Sequence, residues 1–550
     1  MAPVPFQHPL RYTPLAVVYL HLTSIVYLTY AVGASLYTSY RSLGPAQDTR
    51  SRLAQRKTLV PIFLALAVAA LSLATYTSAT SASLSYKTWA SEHGFDKPEN
   101  FAPEEELILE LEESSNSNFA YLAHWLSDTP VYYDALEIVA EKARRFWWGQ
   151  QIDLAMVAFS VLLSIEGRRR KIPLSAAFLA LAHLVNLSFA QNLFYVALLL
   201  TPSPLSSGSE DLELPVALVR TSNLSQIRQK FFAPKPKDWH LNPLALLVAL
   251  ALNYGLIFLL PYAADTSSFA YVALLARAAT FLPLILPTVA PMSWGNIHPH
   301  PHYAHCSYTT VFKTISAASF ALQTKATVMG LIYNAPNSHY HRHSNFFPWD
   351  VEERSTWERS TTALGKVLGS ISDHPVVQAV GWDVLLCTLS LGIWAAVRAM
   401  DVRDIIKSAT PVYSFRRKVQ HAAEEHTPNA SVKADSEPAD DVGSEHSMTL
   451  RRSGRRTKTR KGSIASSTGH SEEGSTIPVK KRGRPKKTKQ SEEEKAYEPE
   501  PSETRELVEG DVVPADGLDW ESAALAWGLA AFAGLGSACA GVYGGECISR

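Results

Sequence analysis

The sequence predicts an all-α fold: a multi-pass transmembrane helix bundle of about eight spans, with a long, disordered, basic tail region. Three observations predict it. Several windows are almost wholly apolar and long enough to cross a bilayer, which takes about 20 residues as helix. Two of them, Thr58–Thr77 and Pro243–Ala263, carry no charge on any face, whereas a soluble core helix normally keeps a polar stripe. One long window, by contrast, is almost wholly polar, so the zero net charge of the 550 residues and their 47% hydrophobic content average over two unlike parts.

In chain order the candidate spans begin with Leu15–Tyr37, too long for a cleaved signal and without a basic leader beyond Arg11, hence read as a signal anchor. Thr58–Thr77 follows, then Trp147–Glu166 with an aromatic pair at one end, and Pro173–Leu200, which contains Asn186, Gln191 and Asn192. Pro243–Ala263 and Phe269–Val289 form a closely spaced pair; Gly381–Val397 and Ala523–Tyr543 complete the set. Val311–Ile332 is a ninth window, but Lys313, Gln323 and Lys325 make it a poor lipid-facing span. It is expected to be re-entrant or interfacial. The resulting division is a membrane domain over 1–400, a charged linker over 401–515 and a C-terminal transmembrane segment over 516–550.

Basic residues favour the cytoplasmic ends of short loops. Arg41, Arg50, Arg52, Arg56 and Lys57 follow the first span, and Arg168, Arg169, Arg170 and Lys171 follow the third. Both loops are expected in the cytoplasm, with the N-terminus and the acidic 78–146 segment in the lumen; the expected location is the endoplasmic reticulum membrane. The four cysteines, Cys306, Cys387, Cys539 and Cys547, fit neither a disulfide scaffold nor a zinc ribbon.

The linker cannot bury enough apolar surface to fold alone. Over 451–490 it holds fourteen Lys and Arg against two Glu. Within KKRGRPKKTK, Arg482, Gly483, Arg484 and Pro485 have the form of an AT-hook core, in which an extended Gly-Arg-Pro enters a narrow minor groove. Such a run more commonly touches anionic lipid headgroups, so membrane lipid, not nucleic acid, is the expected partner.

Seven of the eighteen histidines fall between 298 and 343. His298, His300, His302 and His305 form one group; His339, His341 and His343 form the other. Imidazole serves both proton transfer near neutral pH and metal coordination. Pro299 and Pro301 favour extended backbone, in which His298, His300 and His302 point the same way. The first group therefore offers four nitrogen ligands to iron or zinc, the chemistry of a metal-dependent membrane oxidoreductase or hydroxylase. The helical HxxxH and HxxHH boxes of membrane desaturases do not occur here, and a solvated His-Pro loop explains the pattern equally well. The two groups share a membrane face only if Val311–Ile332 does not cross.

Ionisable groups inside spans are expensive and mark functional candidates. Asp153 lies about a turn inside the third span, and Glu166 closes it. Glu166 also has a bland reading, an ion pair with Arg168–Arg170. Gln150, Gln151, Asn186, Gln191 and Asn192 either line a polar seam or join helices. Asp350, Glu352, Glu353, Asp373, His374 and Asp383 add polar groups near the second histidine group.

The runs FWWGQQIDLAMVAFSVLLSIEGRRRKIP and NLSFAQNLFYVALLLTPSPL resemble a group of fungal multi-pass proteins found in secondary-metabolite clusters. That group is similar to the membrane-bound terpene cyclases of meroterpenoid biosynthesis, such as that of the ascofuranone pathway. The resemblance covers about residues 15–400 and excludes the tail. It implies an enzyme that closes an epoxidised prenyl chain, using a protonated carboxyl, an aromatic-lined pocket and a base, with no metal or other cofactor. On this reading a lipophilic prenylated molecule is the substrate, and Asp153 is the acid with a histidine as proton acceptor. A non-catalytic transporter or nuclear-envelope tether is the remaining class; transporters often carry internal repeats, and none is evident here. Oligomeric state is not legible.

Overall fold

The computed structural model describes residues 10–42, 50–93, 121–201, 235, 239–297, 301–336, 338–340, 351–353, 355–398, 400–410 and 518–548. One compact unit takes in Met1–Phe415 and Pro499–Arg550; the other, Arg416–Glu498, lies outside the described residues. So does the AT-hook-like run at Arg482–Pro485.

The first unit is an all-α helix bundle. Its helices are α1 (Tyr12–Ser42), α2 (Arg50–Glu92), α3 (Val131–Glu141), α4 (Ala143–Arg169), α5 (Ser175–Leu184), α6 (Leu187–Leu200), α7 (Pro243–Ala263) and α8 (Phe269–Ala279). They continue with α9 (Leu282–Val289), α10 (Pro301–Asn334), α11 (Thr356–Gly369), α12 (Pro375–Arg398), α13 (Val402–Ala409), α14 (Trp520–Ala533) and α15 (Leu535–Ile548). Two three-residue antiparallel pairings complete it: β1 (Trp239–Leu241) with β2 (Gly295–Ile297), and β3 (Ser338–Tyr340) with β4 (Val351–Glu353).

Among the described residues six helices are long and apolar enough to span a bilayer: Tyr12–Arg41, Thr58–Glu92, Ala143–Arg169, Pro243–Ala263, Ser307–Asn334 and Pro375–Arg398. The pair α8–α9, bent by 56°, makes a seventh if counted as one span. The expected eight are therefore corrected in three places. Pro173–Leu200 is two helices, α5 and α6, parted at Val185 and Asn186. Phe269–Val289 bends at Thr280 and Phe281, just before Pro283. Ala523–Tyr543 breaks at Gly534, whose φ of +85° only glycine adopts readily.

Val311–Ile332 departs from expectation in the opposite way. It belongs to α10, an unbroken helix of 34 residues and about 51 Å, with no re-entrant turn. The residues that argued against a span are accommodated by protein. Gln323 is buried and packs on Gly534. The Lys325 ammonium lies over the rings of Phe258, at 3.8 Å, and Tyr262, at 4.4 Å.

The centre of the bundle is α4, almost wholly buried, with α10 and α15 packed against it and against each other. Close approach comes from the small residues of LGSACAGVYGGECI in α15. A Cβ on Gly536 would meet Leu154 Cβ at 2.7 Å, and one on Gly544 would meet Ser408 Cβ at 2.5 Å. The segment 516–550, read from sequence as a separate transmembrane piece, thus contributes α15 to the same core as residues 32–405. The start of the charged linker is structured too: α13 is an amphipathic helix capped by Asp401, with Ile405 buried against α15.

Candidate functional site in the bundle

Two polar constellations lie inside the apolar bundle. The first gathers at the C-terminal end of α4. Glu166 accepts from Arg169 Nη1 at 3.0 Å and from Arg170 Nε at 2.9 Å. Arg170 also donates to the carbonyls of Leu198 and Thr201 at 3.1 and 3.0 Å, and to Glu546 of α15 at 3.3 Å. Glu546 accepts in turn from both Nε and Nη2 of Arg398, whose guanidinium lies 5.3 Å from the Trp394 ring centre. The side chains of Glu166, Arg170, Arg398 and Glu546 have no exposed surface. In a dry interior such ions persist only when paired and hydrogen-bonded. Glu166 is therefore engaged by two guanidiniums, and the ion-pair reading accounts for it fully. Its partners are Arg169 and Arg170; Arg168 lies 5.9 Å from the Trp239 ring centre.

The second constellation lies within electrostatic range of Asp153 through Arg277. It forms where two discontinuous helices meet. At the α5–α6 break, Asn186 caps α6 by accepting from Phe189 N at 2.9 Å. Asp383 of α12 accepts from Leu187 N at 3.0 Å and Ser188 N at 2.7 Å. These bonds satisfy backbone donors that a helix start buried in an apolar core would otherwise orphan. At the α8–α9 break, the Thr280 hydroxyl donates to the Arg277 carbonyl at 2.7 Å. Its only hydrogen being used, it accepts from His183 Nε2, also at 2.7 Å. His183 is in the last turn of α5, so one hydrogen bond joins the two breaks. Arg277 Nη1 donates to the His183 carbonyl at 3.5 Å.

Asp153 and His21 of α1 lie within electrostatic range of Arg277, with no Asp153–Arg277 ion pair within 4.0 Å. The His21 ring lies 4.7 Å from that of Tyr132 on α3, and His183 lies 5.6 Å from Phe281. Asp153, His21 and His183 are half-buried, and Arg277 is exposed. Asp153 lies ten residues into α4 and His21 nine into α1, about 15 and 14 Å along their axes, near mid-bundle.

His298, His300, His341 and His343 lie outside the described residues. His302 and His305 fall in the first turns of α10 and His339 in β3, with backbone described but not side chains. His302 is helical, not extended as the prolines suggested, because Pro301 occupies the first helical position, where its missing N–H costs nothing. His305 and Asn334 are separated by about 44 Å of continuous helix, so His302 and His305 stand at one end of α10 and His339 follows the other. Among the described residues no three His, Cys, Asp or Glu side chains converge on a metal-sized site.

Of the other polar residues singled out from sequence, Gln191 Nε2 donates to Tyr195 Oη within α6 at 2.8 Å and reaches Cys387 O and Ser390 Oγ of α12 at 3.4 Å, whereas Asn192 Nδ2 donates to Ser188 O at 2.7 Å within α6 itself. Asp373 holds Arg144 at 2.8 Å. Gln150 and Gln151 are buried with Nε2 unpartnered among the described residues. Asp350 is not described; Glu352 and Glu353 are placed only as backbone of β4. Sequence reasoning missed Arg277, His183 and His21. The signal was available, since each is an ionisable residue in an apolar run. Comparison with protein-family models, with curated proteins and with solved structures finds no match for this chain.

Proposed function

We propose that the protein is a membrane-embedded enzyme of the endoplasmic reticulum that performs acid–base chemistry on a lipophilic substrate, with an epoxidised prenyl chain as the substrate class. One observation carries this reading: at two helix interruptions His183 is hydrogen-bonded to Thr280 and Arg277 to the His183 carbonyl, and Asp153 and His21 of two further helices lie within electrostatic range of Arg277. Interrupted backbone and ionisable groups are both costly at membrane depth, and both are kept where a site needs them. In the proposed reaction the Asp153 carboxyl gives its proton to the epoxide oxygen as the C–O bond opens. A neighbouring alkene closes on the resulting cation. His183 Nδ1, whose lone pair remains when Nε2 donates to Thr280, takes the proton lost from the last carbocation. The net change is an isomerisation. Arg277 holds the carboxylate charge while Asp153 is deprotonated, and aromatic faces such as Tyr132 and Phe281 favour cationic intermediates.

The test uses the full chain in microsomes supplied with an epoxyprenyl-phenol. Asp153→Asn is expected to lower turnover at least about 100-fold, the size of a general-acid contribution, with expression unchanged. Turnover is expected to survive metal chelation. Full activity of Asp153→Asn would sink the reading. The interrupted helices also favour a second reading, a proton-coupled carrier. Asp153-dependent flux into sealed vesicles, without chemical change of the substrate, would decide for it.

A further inference from the structure

A separate cavity of about 560 Å³ lies between α3, α4, α7 and α10. Its size is that of a small-molecule site. Phe146, Pro261, Tyr262, Met329 and Tyr333 line its apolar part. Phe258 flanks it through Lys325, and Phe258, Tyr262 and Tyr333 are 43%, 57% and 70% exposed, so the opening looks out on the lipid-facing flank of α7 and α10.

Four ionic groups line the cavity. Glu141 is engaged by Lys142 at 3.8 Å and by Arg145 at 3.7 Å, and Arg144 by Asp373 at 2.8 Å. Lys325 has no carboxylate within 4.0 Å among the described residues; its ammonium rests on the Phe258 and Tyr262 rings. It lies nine residues before the end of α10, about 14 Å along the axis. Gln150, 3% exposed, also lines the cavity, and its Nε2 has no hydrogen-bond partner among the described residues. A buried amide without a partner carries a desolvation cost that a ligand acceptor would remove. One cation and one unfilled donor, at an apolar cavity open toward lipid, define a complementary ligand: an oxyanion head on a hydrocarbon tail.

We infer that this cavity binds the acidic head of an amphiphile, with Lys325 as its charge partner and Gln150 as its second donor. The tail lies along Phe258, Tyr262 and Tyr333. Asp153 takes no part, so this site stands or falls apart from the proposed reaction. The head is a phosphate when the ligand is a phospholipid and a carboxylate when it is a fatty acid.

The experiment is native mass spectrometry of the full-length protein released from detergent, titrated separately with dioleoyl phosphatidate, oleate and dioleoyl phosphatidylcholine. One equivalent of phosphatidate or of oleate is expected to bind ahead of phosphatidylcholine, and which one binds identifies the head. Lys325→Met and Gln150→Leu are expected to weaken that adduct about tenfold or more, as loss of one charge-assisted contact does. Lys325→Arg is expected to keep it, which also shows that a side-chain change at 325 leaves the fold intact. Lys313→Met, on the same helix, should not affect it. Equal retention of all three lipids, an equal loss in Lys313→Met, or unchanged binding in Lys325→Met would each overturn the inference.

Discussion

Arg398 and Glu546 are 148 residues apart in sequence and fully buried together. Two bonds from one guanidinium to one carboxylate are strong because both the charge and the fork geometry match. Removing either partner leaves the other, in a dry core, short of its bidentate partner, a cost of up to about 3–5 kcal/mol that the Arg170–Glu546 bond offsets in part when Arg398 is lost. Arg398→Met and Glu546→Gln are each expected to lower the unfolding temperature of the purified protein sharply. The double variant should lose less than the sum, since the two share one interaction. Additive losses would show that the pair is not coupled. Half of this network was legible in the sequence. Glu166 and Arg170, one helical turn apart, announce a local ion pair, whereas nothing local to Arg398 points to residue 546. Asp153 shows the same limit. Its place inside an apolar run marks it as a candidate, but that Arg277 of α8 lies within electrostatic range of it is not visible in the local sequence.

At the scale of elements, three expected spans are interrupted, each for a visible reason. Asn186 and Asp383 cap α6 within the core, Pro283 starts α9 anew, and Gly534 takes a left-handed φ. Hydropathy averages across such breaks, so a 20-residue window reads as one span whether or not its backbone is continuous. Gly534 is the sharpest test. A Cβ there would be strained by φ and would meet Gln323 Cγ at 2.8 Å. Gly534→Ala is therefore expected to destabilise by about 1–2 kcal/mol. Gly528→Ala, in α14 with nothing within 4 Å of the new methyl, should be neutral or stabilise by up to about 1 kcal/mol. Thermal unfolding of the two variants side by side checks this, and equal behaviour would contradict the break.

For the whole molecule, the decisive element is α10. Its unbroken 34 residues separate the chain before residue 301 from the chain after 334. Cysteines introduced at Asn296 and Thr356, both exposed, are expected to react with an impermeant maleimide from opposite sides of sealed microsomes, in a background lacking the four native cysteines. Reaction from the same side would return α10 to the membrane surface. The sequence by itself determined that the chain is an all-α bundle of membrane type, because hydrophobic length is a local property that no neighbour can alter. It also marked Asp153 and Glu166, because a charge in an apolar run is visible without a fold. Only the tertiary structure decided what those charges meet. It gave Glu166 to Arg169 and Arg170, tied Arg277 to His183, and put His302 and His305 at the start of α10 and His339 after its end. Long-range partners follow from helix packing, and packing depends on shape across the whole bundle, which no window of sequence contains.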